Sequence, residues 1–119
     1  MRLLIDHIGI GPFSKLPDAA AHVDTVLHLA RFPNVAVKAT GTPSMAIDEY
    51  PFDRIHPVLE RTFDAFGPRR MFWGTDFTRM KCSWRDCLRL FINELSWLKG
   101  DNLEWVMGRA VCDWIGWAR

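Results

Sequence analysis

Three short apolar runs divide the chain and are separated by longer amphipathic stretches. The runs occupy residues 3–5, 35–37 and 71–73, and each is continuously apolar rather than alternating between apolar and polar positions. A run of this kind is typical of a strand in a parallel sheet, because such a strand is buried on both faces. The pattern therefore predicts three buried strands.

The stretches after these runs carry apolar residues at the spacing of one helix face. They predict helices over about residues 18–32, 55–66 and 84–98, then the start of another helix near residues 101–104 and a short final helix around residues 111–115. The alternation of strands and helices predicts that the strands run parallel and are joined by helical crossovers.

The expected ends of two helices carry recognisable signals. Gly67 and Pro68 follow the second helix and are expected to stop it. Ser83 with Asp86 three residues later is typical of a capping box, which starts the third helix. Gly100 is expected to end that helix.

Two architectures fit this order of elements: a small open sheet with helices on both sides, or a piece of an eight-stranded barrel. In both, functional residues gather at the C-terminal ends of the strands. All three strands end in polar residues here, namely Asp6 and His7, Lys38 and Thr40, and Asp76. An open sheet usually concentrates its site at one switch point, and no Gly-rich phosphate loop of the usual form follows the first strand. The pattern favours the barrel.

Composition narrows the classes of function. The 119 residues, 49% hydrophobic and 24% charged, fit one globular domain, and a formal net charge of +1 gives no electrostatic reason to expect nucleic acid or a membrane surface as a partner. No apolar run has the form of a leader or a membrane span, so a cytoplasmic location is expected. The three cysteines are expected to be reduced thiols, since their number is odd and their spacing does not suit a metal site.

Three motifs carry a resemblance to a known family. Residues 4–9 read Leu-Ile-Asp-His-Ile-Gly, residues 35–41 read Val-Ala-Val-Lys-Ala-Thr-Gly, and residues 70–77 read Arg-Met-Phe-Trp-Gly-Thr-Asp-Phe. In order and spacing they resemble the last three strand-and-helix units of the amidohydrolase-related family, which includes pyrone dicarboxylate hydrolases and related decarboxylases. Residues 106–110 are similar to that family's closing helix. The resemblance implies a partial TIM-like (β/α)8 barrel in which residues 1–119 form a single C-terminal portion.

The resemblance also implies roles for individual residues. In the family, the histidine at the position of His7 binds a metal or polarises the substrate carbonyl, and the aspartate at the position of Asp76 binds the metal or moves a proton to and from water. Both roles suit the chemistry of imidazole and carboxylate groups. Lys38 and Thr40 are expected to contact an anionic group of the substrate, and Arg79 is a candidate bidentate donor to a substrate carboxylate.

Each of these residues also has a purely structural interpretation. His7 can fill a strand end and Asp76 can cap a turn, while Lys38 and Arg79 can simply reach solvent. The sequence also departs from the family pattern, because Thr78 and Arg79 stand where a proline is common after the third motif, and the His-x-His pair of the family's first strand is absent. A typical barrel needs roughly 250 residues. The chain is therefore expected to be incomplete in isolation. A divalent metal, zinc or manganese, is expected in a full-length family member and is expected to bind weakly or not at all to this chain alone.

The function expected from the resemblance is hydrolysis of a small anionic carbonyl compound by activated water. Three alternatives stay open: non-oxidative decarboxylation, which the same family performs; a catalytically incompetent fragment that acts as an assembly unit; and a self-sufficient small α/β binding module. The expected partners are a small-molecule substrate and either a second copy of the chain or a missing N-terminal half.

Parallel strands also predict that His7 and Asp76 lie at one end of the sheet, on either side of Lys38 and Thr40. The apolar residues of both outer strands are expected to be exposed.

Overall fold

The computed structural model describes residues 1–11 and 13–118. Its three strands are β1 (Leu3–Ile5), β2 (Val35–Ala39) and β3 (Met71–Trp73), all parallel and in the spatial order β1-β2-β3. The predicted strands and their direction are therefore confirmed. Pro12, which the sequence places in the loop after β1, lies outside the described residues.

The described residues form five α-helices: α1 (Asp18–Leu27), α2 (His56–Phe66), α3 (Trp84–Arg89), α4 (Gly100–Glu104) and α5 (Ala110–Ile115). A 3-10 turn over His28–Arg31 extends α1 to almost the predicted end. The second helix stops where expected, at Gly67 with a φ of 72°. Within residues 1–11 and 13–118, no helix is both long enough and apolar enough to cross a membrane.

The third helix begins as predicted but ends earlier. The Ser83 side chain accepts a hydrogen bond from the Asp86 amide at 3.1 Å, and the Asp86 carboxylate accepts one from the Ser83 amide at 3.3 Å, which confirms the capping box. A π-helical turn over Leu90–Glu94 follows α3, and the chain then turns at Leu95. The spacing of apolar residues predicted a helix up to residue 98 because Leu95 and Leu98 are both fully buried, but these two residues lie in a turn.

The prediction that Gly100 ends a helix is also wrong. Gly100 is the first residue of α4 and has a φ of 55°, a conformation that suits glycine at the entry to the helix. A π-helical turn over Trp105–Arg109, with a kink at Gly108, joins α4 to α5. The last two predicted helices therefore lie in one kinked helical segment, called here the terminal helix (residues 100–115).

Helices cover both faces of the sheet. One face contributes Val37, Ala39 and Met71 to the main core, which includes apolar residues of α1, α2 and the segment after α3. On the other face Ala36 and Phe72 pack against the terminal helix, where the rings of Phe72 and Trp114 lie 5.9 Å apart. Burial on both sides explains why the strand sequences are apolar throughout.

The terminal helix changes one expectation about the sheet edges. Leu3 of β1 is 47% exposed, as predicted for an outer strand, but Met71 and Phe72 of β3 are 0% and 1% exposed. The expectation of exposed apolar side chains on β3 is therefore wrong, because the terminal helix and the main core cover them. Only β1 presents a partly open apolar flank.

Arg70 ties the start of β3 to the segment that leads into β2. Its guanidinium donates hydrogen bonds to the backbone carbonyls of Phe32 at 2.9 Å, Val35 at 3.0 Å and Ala30 at 3.0 Å. Buried hydrogen bonds that involve a charged group stabilise a fold by about 1.5 to 3 kcal/mol each, and partly exposed ones by less. Arg70 therefore helps to hold β2 and β3 in the register that aligns their C-terminal ends.

Candidate active site

The turns after β1 and β3 adopt left-handed backbone conformations. His7 and Ile8 have φ values of 53° and 47°, and Asp76 has a φ of 51°. Non-glycine residues in this region cost roughly 1 kcal/mol or more each and are held there only by the surrounding structure. These turns direct two of the predicted functional side chains, those of His7 and Asp76, towards each other.

His7 lies between Thr40 and Asp76. Its Nδ1 is 2.6 Å from Thr40 Oγ1, and its Nε2 is 3.6 Å from Asp76 Oδ2. Thr40 is 9% exposed, whereas the side chains of His7 and Asp76 are 27% and 23% exposed. The buried hydroxyl therefore orients the imidazole, and the outer edge of the imidazole and carboxylate remains accessible to a ligand.

Two glycines allow these side chains to approach. The Gly41 amide donates to the Thr75 carbonyl at 3.1 Å, which links the ends of β2 and β3. A Cβ atom added to Gly41 would lie 3.5 Å from Asp76 Oδ2 and 3.6 Å from His7 Nδ1, so a larger residue would crowd the pair. A Cβ atom on Gly74 would lie 2.6 Å from Thr40 Cγ2 and would displace the threonine that orients His7.

Arg79 gives the site a positive charge beside the carboxylate. Its NH1 atom is 3.1 Å from Asp76 Oδ2, but the contact is an ion pair without hydrogen-bond geometry, since this buried oxygen has no hydrogen-bond partner among the described residues. A buried carboxylate oxygen with a free lone pair is able to accept a proton or a ligand. Arg79 therefore neutralises the charge of Asp76 but leaves a lone pair on Oδ2 free to accept a hydrogen bond or a proton.

Lys38 lies apart from this cluster. Its Nζ atom is 2.5 Å from Asp6 Oδ1, and both residues extend from the ends of their strands. The structure thus confirms that His7 and Asp76 lie at one end of the sheet with Thr40 beside them. Lys38 lies on the middle strand, between the strands that lead to His7 and Asp76, as predicted, but its ammonium group pairs with the carboxylate of Asp6.

A narrow crevice, too small to hold a water molecule in this structure, lies beside the cluster and brings in residues that the sequence did not indicate. Ser44 and Met45, from a 3-10 turn over Thr42–Met45, line it together with Ile10. The sequence carries one indirect signal for them: the irregular segment after β2 is longer than a routine connection, and long loops often carry functional residues, although length alone does not indicate which residues face the site.

The metal-binding capacity of these residues is limited. No group of three or more His, Cys, Asp or Glu side chains suited to a metal ion exists within residues 1–11 and 13–118. His7 Nε2 and the free lone pair of Asp76 Oδ2 are suitable donors for zinc, but protein zinc sites use at least three protein ligands. These two residues fit a metal ion only as part of a larger set of ligands.

The cysteines do not add to the site. Cys82 and Cys87 are free thiols whose sulfur atoms lie 3.6 Å apart. Burial, followed by the hydrogen bond with Cys82, raises the pKa of Cys87 to about 12, and burial also raises the pKa of Cys82. Both thiols are therefore protonated at neutral pH and are poor nucleophiles.

Comparison with known proteins places this geometry in a family. The model of the amidohydrolase family matches residues 1–92. The chain is 32% identical over 77 residues to L-fucono-1,5-lactonase of Burkholderia ambifaria, a match that covers 65% of this chain and 26% of the lactonase.

Two crystal structures of an amidohydrolase from Burkholderia multivorans share the fold. The zinc-bound form superimposes with a TM-score of 0.80 at 22% identity, and the form with bound HEPES with a TM-score of 0.79 at 21% identity. Each match covers 97% of this chain and 44% of the other, so the chain spans less than half the length of these relatives. The sheet and its helices therefore correspond to part of a TIM-like barrel. The chain belongs to the amidohydrolase family.

Proposed function

We propose that this chain supplies part of the active site of a hydrolase that attacks a small carbonyl compound with water. The observation that carries the proposal is the 3.6 Å approach of His7 Nε2 to Asp76 Oδ2 at the C-terminal ends of parallel strands. Active sites of barrel enzymes lie at this end of the strands. The relative named as a lactonase supports a cyclic ester as the class of substrate.

In the proposed reaction, Asp76 acts on water and His7 acts on the carbonyl. If the Thr40 hydroxyl donates to His7 Nδ1, Nε2 carries the proton and donates a hydrogen bond to the carbonyl oxygen, which stabilises the negative charge that develops there. Asp76 Oδ2 accepts a proton as the water oxygen bonds to the carbonyl carbon. The acyl–oxygen bond then breaks, and Asp76 returns the proton to the leaving oxygen.

A divalent metal would use the same residues in a different way, with His7 Nδ1 carrying the imidazole proton and donating it to Thr40. His7 Nε2 and Asp76 would then supply two of its ligands in place of the roles described above, and the remaining ligands would come from outside the described residues. When bound, such an ion would polarise the carbonyl and lower the pKa of the attacking water. The zinc found in the amidohydrolase from Burkholderia multivorans supports this part of the proposal.

A second candidate is an assembly unit that completes a barrel with another polypeptide. Two observations favour it: the chain spans 44% of the solved relative, and Leu3 on the outer strand β1 is 47% exposed. An unpaired strand with apolar side chains is a site for strand pairing with another chain. The two candidates are compatible, because an assembled barrel would place additional strand ends around His7 and Asp76.

Replacement of Asp76 tests the catalytic proposal. We expect Asp76→Asn to lower kcat/KM for hydrolysis of L-fucono-1,5-lactone by about 100-fold to 10,000-fold, because the amide cannot accept the proton of the attacking water. The initial rate above the uncatalysed rate measures this effect. Asp64→Asn, an exposed residue of α2, serves as the matched control and is expected to leave the rate unchanged. Equal activity of the two variants would contradict the role of Asp76.

Calorimetric titration tests the incomplete metal site. We expect the 119-residue chain to bind zinc or manganese with a dissociation constant weaker than about 1 µM, because two protein donors fall short of the three or more that tight sites use. A stoichiometric site tighter than this, abolished by His7→Ala and unaffected by His22→Ala on the surface of α1, would show that the chain holds a complete site.

Sedimentation velocity tests the assembly unit. We expect the isolated chain to sediment as a mixture of monomer and larger species at low micromolar concentrations, because the β1 edge is unpaired. Leu3→Lys is expected to shift the distribution towards the monomer, since a charged residue opposes strand pairing. Ile92→Lys, at an exposed position outside the sheet, is the control. A single species of 13.8 kDa with cooperative unfolding would contradict the assembly unit.

A further inference from the structure

Two thiols lie in contact with each other away from the His7 and Asp76 pair. The Sγ atoms of Cys82 and Cys87 are 3.6 Å apart, and both residues are free cysteines. They lie on either side of the capping box that starts α3. We call Cys82 and Cys87 the thiol pair. The proposed hydrolysis uses neither of them.

The two members of the thiol pair differ in their access to solvent. Cys87 is 2% exposed, whereas Cys82 is half-buried and lines an open cleft of about 780 Å³. A small reagent can reach Cys82 through this cleft, while the surrounding protein shields Cys87. A thiol-reactive reagent therefore meets Cys82 first and finds the sulfur of Cys87 in contact with it.

The backbone holds Cys87 more firmly than Cys82. The Cys87 amide donates to the Ser83 carbonyl at 3.2 Å in the first turn of α3. The amides of Lys81 and Cys82 donate to no backbone carbonyl of residues 1–11 and 13–118. Cys82 thus lies in a short link that is free to bring its sulfur closer to that of Cys87. A disulfide bond needs a separation of about 2.0 Å between the two sulfur atoms.

The surroundings of the thiol pair favour slow formation of a lasting disulfide. Burial raises the pKa of both thiols, and the carboxylate of Asp86 raises it further. Only the thiolate attacks a disulfide, so the first step is slow. Stabilised thiolates favour the reduced form of a dithiol, and the thiol pair lacks this stabilisation. The disulfide is therefore expected to persist once it has formed.

We propose that the thiol pair is a modification site, which disulfides of low molecular weight oxidise to a reversible bond between Cys82 and Cys87. In the first step the Cys82 thiolate attacks one sulfur of the reagent, which breaks the S–S bond of the reagent and releases one small thiol. In the second step the Cys87 thiolate attacks the sulfur of Cys82 and releases the second small thiol. The two cysteines lose two protons and two electrons, and the two small thiols gain them.

The geometry of the thiol pair favours the second step. The Sγ atom of Cys87 already lies 3.6 Å from that of Cys82, close to the separation of about 3 to 3.5 Å from which positioned groups react. The mixed disulfide at Cys82 is therefore expected to be short-lived. Neither His7 nor Asp76 takes part in these steps, so the bond is expected to form whether or not the chain contributes to a hydrolase.

The bond would restrain the link between the end of β3 and α3. Before the link, the amides of Arg79 and Met80 donate to the carbonyls of Asp76 at 3.1 Å and Phe77 at 3.0 Å. After the link, the capping box fixes Ser83. A bond at Cys82 therefore restricts residues 80–82 between two points that are already fixed, and hydrogen exchange at the Lys81 and Cys82 amides is expected to slow.

Tryptic digestion tests the modification site, because Arg85 lies between the two members of the thiol pair. The reduced 119-residue chain is incubated with glutathione disulfide, the remaining thiols are blocked with iodoacetamide, and the peptides are analysed by mass spectrometry. We expect peptides 82–85 and 86–89 to be joined by a bond that dithiothreitol removes, and we expect Cys112 to take no part in it.

Three variants separate the two steps. Cys87→Ala is expected to accumulate the mixed disulfide of Cys82 with glutathione, because it lacks the second thiol. Cys82→Ala is expected to slow the modification of Cys87 at least about tenfold, because thiol reactivity follows exposure. Cys112→Ala is the matched control and is expected to give the same link as the unmodified chain. Thermal unfolding shows whether each variant is folded under the reaction conditions.

The same reaction in concentrated urea shows what the unfolded chain gives, with links to Cys112 as well as between Cys82 and Cys87. The same mixture of links from the folded chain would overturn the proposal. So would a folded chain, unmodified or Cys112→Ala, that gives only the glutathione adduct of Cys82 or no product at all. A link confined to Cys82 and Cys87 in both folded chains would support it.

Discussion

The hydrogen bond between Thr40 Oγ1 and His7 Nδ1, at 2.6 Å, decides where the imidazole points. It joins the ends of β1 and β2, so it forms only when the two strands are parallel and in the observed register, in which Ile5 lies opposite Val37. With Nδ1 engaged, Nε2 faces the carboxylate that follows β3. The arrangement of the sheet thus sets the geometry of the site, and Gly41 and Gly74 leave the space that this geometry requires.

The packing around the sheet holds the strands in place from the end away from the site. At the N-terminal ends of β2 and β3, Arg70 donates hydrogen bonds to three backbone carbonyls. On one face of the sheet, the terminal helix covers Ala36 and Phe72. The strand ends that carry His7 and Asp76 are left free of this helix. Stability and chemistry are therefore separated along the strands, as they are in complete barrels, where one end of the strands serves stability and the other carries the active site.

Much of this arrangement could be predicted from the sequence. Continuous apolar runs indicated the parallel strands, and the polar residues just after them indicated His7, Thr40 and Asp76. The pairing of Lys38 with Asp6 could not be predicted, because it depends on which carboxylate a long flexible side chain reaches in three dimensions. The early end of the third helix was missed for a related reason: Leu95 and Leu98 keep helical spacing but are buried from a turn.

Arg79 was a candidate from its position near Asp76, but its contact with that carboxylate depends on the left-handed turn at Asp76. Backbone conformations of this kind are set by tertiary contacts rather than by local sequence preference.

The central claim is that His7 and Asp76 direct water onto a carbonyl carbon. The most direct measurement is the reaction of L-fucono-1,5-lactone with the complete barrel to which this chain is proposed to contribute, in water enriched in oxygen-18, with the product analysed by mass spectrometry and the gas phase analysed for carbon dioxide. Attack by water predicts one labelled oxygen atom in the product carboxylate, incorporated faster than in a solution without protein, and no carbon dioxide. Release of carbon dioxide, or incorporation no faster than in the protein-free solution, would contradict the account.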